Sequence, residues 1–113
     1  MTEGWLLGML EDVERTATAA ISELAGAVAV VREIRVERAG GLDLVSVAEA
    51  LAVRGGPARR SVAAAFQDYE HAVAVLRGRV IRTLVDDHGV TLSALARRMG
   101  LSRQAVARLY NAG

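Results

Sequence analysis

Apolar residues recur along this chain at helical spacing, in long runs separated by glycine-rich breaks. From Glu3 to Arg38, the residues Leu6, Leu10, Val13, Ala17, Ala20, Leu24, Ala27, Val31 and Ile34 alternate steps of four and three, which predicts one long helix with a heptad seam. Ile21 and Val28 widen its apolar face. Ala39-Gly40-Gly41 stops it. Leu42 to Val53 then predicts a short helix with Leu44, Val47, Ala48 and Leu51 on one face. Asp43 or Ser46 caps it, and its β-branched content leaves a strand as the alternative. Arg54-Gly55-Gly56-Pro57 is expected to break the chain again, with Pro57 opening the next helix. Ala58 to His88 carries a continuous stripe of Val62, Phe66, Tyr69, Val73, Leu76, Val80 and Leu84, which predicts a second long helix with Phe66 and Tyr69 in the core. Gly78 is a candidate kink, and Gly89 reads as the C-terminal cap.

The chain ends in a denser pattern, Thr91-Leu92-Ser93-Ala94-Leu95-Ala96-Arg97-Arg98-Met99-Gly100-Leu101-Ser102-Arg103-Gln104-Ala105-Val106-Ala107-Arg108-Leu109-Tyr110. It reads as two short helices joined by a tight turn, with Thr91 and Ser102 as N-caps. Gly100 falls where the turn needs positive φ. Ala96 falls where the helices cross, and Leu95, Met99, Leu101, Val106 and Leu109 are spaced to meet between them. The expected fold is therefore all-α: a long N-terminal helix, a short helix, a second long helix and a C-terminal helical pair. The expected division lies between residues 67 and 68.

The terminal pattern resembles the bacterial helix-turn-helix, and in particular the small helix-turn-helix proteins common in actinobacteria. The resemblance covers about 20 residues. It implies that residues 68–113 bind double-stranded DNA, with the helix from Ser102 to Tyr110 in the major groove. Arg103 and Gln104 then read bases, since arginine pairs with guanine O6 and N7 and glutamine with adenine N6 and N7. Ala107 lies on the same outward face, and Arg108 reaches a base or a phosphate. Ser102, Thr91, Arg97 and Arg98 are assigned to phosphates, with Arg79 and Arg82 (as well as Arg77) from the supporting helix. The plan of a helical dimerisation part followed by this motif is similar to that of the nucleoid protein called factor for inversion stimulation, although the long N-terminal helix departs from it.

The heptad seam implies a partner. Residues 1–67 are expected to form a homodimer through Leu6, Leu10, Val13, Ala17, Ala20, Leu24, Val31 and Ile34, the alternative being a hairpin with the second long helix. The resulting expectation is a homodimeric, sequence-specific transcriptional regulator. The alternatives are an adaptor that docks another transcription protein, such as a sigma factor or RNA polymerase, and a nucleoid-type architectural protein.

Charge sharpens this picture. All 14 basic residues are arginine, and the formal net charge is +1. Residues 1–56 hold 5 arginines against 9 acids, residues 57–113 hold 9 against 4, and from Gly89 onward there are 4 arginines and no acid. A basic end on an acidic scaffold is the footprint of a nucleic-acid reader. The chain has no cysteine, which excludes disulfides and thiolate metal sites. Its longest apolar run, Leu24 to Val31, is too short to span a bilayer. Met1-Thr2-Glu3-Gly4-Trp5 offers no basic n-region, so no signal peptide is expected and the place is cytoplasmic, on the nucleoid.

Other chemistry finds little support. Neither Gly-Gly pair has the strand before it, or the Gly-Lys-Ser/Thr end, of a phosphate loop. Asp86-Asp87-His88 points in different directions along a helix and is read as solvated, or paired with Arg82 or Arg97, rather than as a metal site. His71 reads as a surface residue. No arrangement of Ser, His and Asp suggests a nucleophile, so neither an enzyme nor a cofactor is expected.

Overall fold

The computed structural model describes residues 3–112. These residues form an all-α fold with helices α1 (Trp5–Ala39), α2 (Leu44–Ala50), α3 (Gly56–Asp86), α4 (Leu92–Met99) and α5 (Arg103–Ala112). Among the described residues there is no strand, and no helix is long and apolar enough to cross a membrane.

α1 follows its seam for 35 residues and stops at the Gly40–Gly41 turn, where Gly41 takes φ +111°. The amides of Gly40, Gly41 and Leu42 donate to the carbonyls of Val36, Arg38 and Glu37 at 3.0 Å, which satisfies late carbonyls of α1, and Arg38 donates to the Leu42 carbonyl at 2.7 Å in the turn beyond. Asp43 takes the N-cap position of α2, and the neighbouring Ser46 draws its carboxyl pKa below the usual value.

The break expected at Arg54-Gly55-Gly56-Pro57 is absent. α2 runs into a π turn, Leu51–Gly55, which leads directly into α3. Proline lacks an N–H and its ring crowds the carbonyl four residues back, which is intolerable inside a regular α-helix. A wider turn immediately before Pro57 takes up that mismatch without ending the helical path. Arg54 in this turn clamps Glu37 of α1 with two hydrogen bonds of 2.9 Å and lies 3.5 Å from Glu33. The bidentate contact pulls the Glu37 carboxyl below its ordinary pKa, and the Arg54 guanidinium above its own.

The chain divides into two compact units, Glu14–Tyr69 and the two segments flanking it, Met1–Val13 and Glu70–Gly113. The opening turns of α1 belong to the same unit as the C-terminal segment. Sequence order hides this: Leu6 and Leu10 share an apolar groove of about 670 Å³ with Leu76, Val80, Leu84 and Met99.

The flanking unit has a compact core. Ile81 of α3, Leu95 and Ala96 of α4 and Val106 of α5 are buried, with Leu84, Val85, Val90, Leu92, Leu109 and Tyr110 packed around them. α3 continues through Gly78, which is buried. The Glu14–Tyr69 unit buries less, with Ala20, Ile34 and Ala50 as its buried apolar residues. Phe66, expected in the core, is 42% exposed. The apolar stripe fixes which way Phe66 points, but a core of two alanines and one isoleucine is too thin to cover a large ring.

Two of the residues expected to form the seam to a partner are also placed differently. Ala20 and Ile34 are each only 5% exposed, buried within their own unit, so they present nothing to a second chain. Leu6, Val13 and Ala17 are half-buried, while Leu10, Leu24 and Val31 are exposed. One edge of the α1 seam is thus covered within its own unit, and the other faces outward.

Candidate functional site

The site begins with how the chain leaves α3. Gly89 adopts φ +70°, and the Val90 amide donates to the Leu84 carbonyl at 3.0 Å, closing the C-terminus. Thr91 then sits extended at the N-cap of α4, its hydroxyl accepting from the Ala94 amide at 3.1 Å. Replacing Thr91 with Ala should cost about 1 kcal/mol in urea unfolding, and Ser should retain most of it, since only the hydroxyl is required.

α4 ends at Gly100, whose φ of 69° and ψ of 31° are left-handed. The Leu101 amide bonds the Ala96 carbonyl at 3.0 Å, the Schellman closure that such a residue permits. Ser102 follows, and its Oγ accepts from the Ala105 amide at 3.0 Å. Both N-cap hydroxyls spend a lone pair inward and keep a proton to donate outward.

The pair meets at Ala96 and Val106, 6% and 0% exposed. Leu95 is buried and Leu109 half-buried, as the spacing requires. Met99 and Leu101, expected between the helices, are instead 42% and 40% exposed. They flank the left-handed Gly100, and a sharp surface turn swings its neighbours off the helical face.

On the outer side, Arg103, Gln104 and Arg108 of α5 are exposed, and Ala107 beside them is half-buried. Arg97 and Arg98 at the end of α4 are exposed as well. Residues 89–112 thus present four guanidiniums and two carboxamides, those of Gln104 and Asn111, with no carboxylate side chain among them.

Arg79 and Arg82 stand in different company. The Arg79 guanidinium lies 4.3 Å from the centre of the Trp5 ring, and Arg82, half-buried, lines a shallow pocket with Trp5, Asp86 and Asp87. A cation over an aromatic face is already stabilised there, and two carboxylates offset the two arginines. The structure therefore groups this pair with acids rather than with the basic ends of α4 and α5. Sequence spacing shows only that they lie on α3; the Trp5 contact joins residues far apart in the chain.

One contact was not readable from the sequence. The Tyr110 hydroxyl donates to Asp86 Oδ1 at 2.8 Å, tying the last turns of α5 to the end of α3. Asp86 is exposed and shares a pocket with Arg82, as the sequence suggests, and it also accepts from this phenol, 24 residues away. His88 Nε2 lies 3.6 Å from Glu3 Oε2. The hydrogen bond to Asp86, then burial, then repulsion by that carboxylate raise the Tyr110 pKa above its ordinary 10.0, against a smaller opposing pull from Arg82. A raised folded pKa means the contact stabilises fully below the unfolded value and is lost as pH rises through the folded one. Tyr110→Phe should therefore lower the melting temperature by a constant amount between about pH 6 and 9, with the gap closing above about pH 10. Ultraviolet titration should show a phenol that ionises above its ordinary range, and that phenol should be missing in the variant. No protein-family model, curated protein or solved structure matches the chain.

Proposed function

We propose that this protein binds double-stranded DNA in a sequence-specific manner through α5, as a homodimeric transcriptional regulator of the helix-turn-helix type acting on the nucleoid. The observation that carries the reading is the exposed start of α5. Arg103 and Gln104 follow the Ser102 cap directly, on a helix held by a left-handed Gly100 turn and the Ala96–Val106 contact. That is the geometry in which a helix N-terminus enters a major groove with base-reading side chains at its leading edge. Arg108, one turn on, reaches a base or a phosphate, and the half-buried Ala107 leaves room between them for a base edge.

Phosphate contacts fall to Arg97 and Arg98, with Thr91 and Ser102 donating their hydroxyl protons. Arg79 and Arg82 are left out of this role because of their Trp5 and carboxylate neighbours. Replacing either Arg97 or Arg98 with Ala should weaken binding about equally on all sequences, and lower the slope of log affinity against log salt by about 1. Loss confined to one sequence would make that arginine a base reader.

The deciding experiment is selection of bound duplexes from a random pool, followed by affinities for selected and scrambled sites across salt concentrations. A regulator gives a consensus and a specific-to-nonspecific ratio of about a thousand or more. Tight, salt-sensitive binding without a consensus would make it an architectural protein. A second reading, docking to another transcription protein, draws on the apolar groove at Leu6, Leu10 and Met99, which borders α4. No binding to any duplex at low salt would favour that reading.

A further inference from the structure

We propose that the outward face of α1 pairs with the same face of a second copy in antiparallel orientation. The inference deepens the homodimer part of the reading above, while needing nothing of its DNA part.

The face is a heptad row that the fold leaves uncovered. Ile21, Leu24, Val28 and Val31 follow one another at steps of three and four and are 68%, 42%, 45% and 60% exposed. They all belong to the unit Glu14–Tyr69, whose own buried apolar residues are only Ala20, Ile34 and Ala50 among the described residues. A continuous exposed apolar stripe over so small a core marks an interface. The stripe borders a groove of about 730 Å³, shared by Leu24 and Val31 with Leu51, Ala52 and Val62.

The charges at the ends of the row choose the occupant and its direction. Continued by heptads, the row passes through Ala17 and Glu14 on one side and Arg35 and Arg38 on the other. Side by side in parallel, two copies would set Glu14 on Glu14, Arg35 on Arg35 and Arg38 on Arg38. Reversed, they set Leu24 against Val28 of the second copy, Ile21 against Val31, Ala17 against the aliphatic stem of Arg35, and Glu14 against Arg38. Like charges at a packed seam are repulsive and opposite ones are not, so the row complements itself in one direction only. Arg38 has donors to spare, since the structure commits one of them to the Leu42 carbonyl. Ala25 and Ala27 flank the middle of the row, and small residues there let two helix backbones come close.

The chain lacks cysteine, so engineered thiols report pairing without background. Ile21→Cys and Val31→Cys chains, one carrying a mass tag, are oxidised separately and as an equal mixture, with no DNA present. Both positions are exposed, so the fold tolerates them. The expected result is a disulfide-linked heterodimer in the mixture and little linking of either chain alone. Residues 21 and 21 of a reversed pair sit about 15 Å apart along the axis, beyond disulfide reach. Self-linking of Ile21→Cys as efficient as linking in the mixture would overturn the antiparallel direction, and absence of links in every arm would overturn the interface. As a second measurement, Glu14→Arg should raise the dimer dissociation constant by about tenfold or more in sedimentation, and the double variant with Arg38→Glu should restore it. No change on Glu14→Arg would likewise overturn the pairing. Linked chains that bind no duplex would leave the interface standing and refute the DNA reading instead.

Discussion

Val106→Asp should abolish the folded state of the C-terminal unit. Val106 is fully buried, and its neighbours Ile81, Leu95 and Ala96 offer no polar partner for a carboxylate. An unpaired charge there is so unfavourable that the group protonates or the core opens, at a cost of about 4 kcal/mol or more. A domain of this size has only about 5–15 kcal/mol in total. Val106→Ala, which removes two methyl groups and leaves a small cavity, should cost about 2 kcal/mol. Urea unfolding followed by circular dichroism distinguishes the two: the Ala variant keeps a cooperative transition at lower midpoint, and the Asp variant loses it for this unit. A near-normal midpoint for the Asp variant would mean that α5 is not docked on α3 and α4 in solution.

Arg103→Ala should reduce affinity for the selected duplex by about 1–3 kcal/mol and relax preference at one base pair. Binding to scrambled DNA should fall much less, because one exposed guanidinium among four contributes a single screened charge to the backbone term. In a symmetric dimer the relaxed position appears once in each half-site, and half-site centres lie about one duplex turn apart or a multiple of it. Comparison of selected-site profiles for the two proteins tests this. Even loss across all sequences, with the preference intact, would assign Arg103 to a phosphate and leave Gln104 as the principal reader.

Much of the architecture was readable because its signals are local. Helix spacing, the Gly40–Gly41 stop, the caps at Thr91 and Ser102 and the left-handed Gly100 each depend on a few adjacent residues, and the structure has all of them. The features that escaped depend on partners distant in sequence or on how thickly a face is covered. Arg54-Gly55-Gly56-Pro57 reads as a breaker by composition, yet a π turn carries the helix across it. A stripe including Phe66, and a turn flanked by Met99 and Leu101, show direction but not depth. In the candidate site, the exposed Arg103, Gln104 and Arg108 follow from helix periodicity, while Tyr110 with Asp86 and Arg79 with Trp5 join segments that no spacing rule connects. Likewise the seam on α1 was visible as a period, but only burial shows which of its two edges the chain keeps for itself.

The exposed cations of α4 and α5, Arg97, Arg98, Arg103 and Arg108, are all guanidiniums. A guanidinium stays charged throughout the physiological range, and it has no amine for an acetyl group to cap. This surface therefore keeps its full positive charge whether the cell acidifies or its acetylation state changes, and its attraction for an anionic partner is constant. Control over when that attraction is used has to be exerted elsewhere: by ionic strength, by the amount of protein made, or by whether two chains have met.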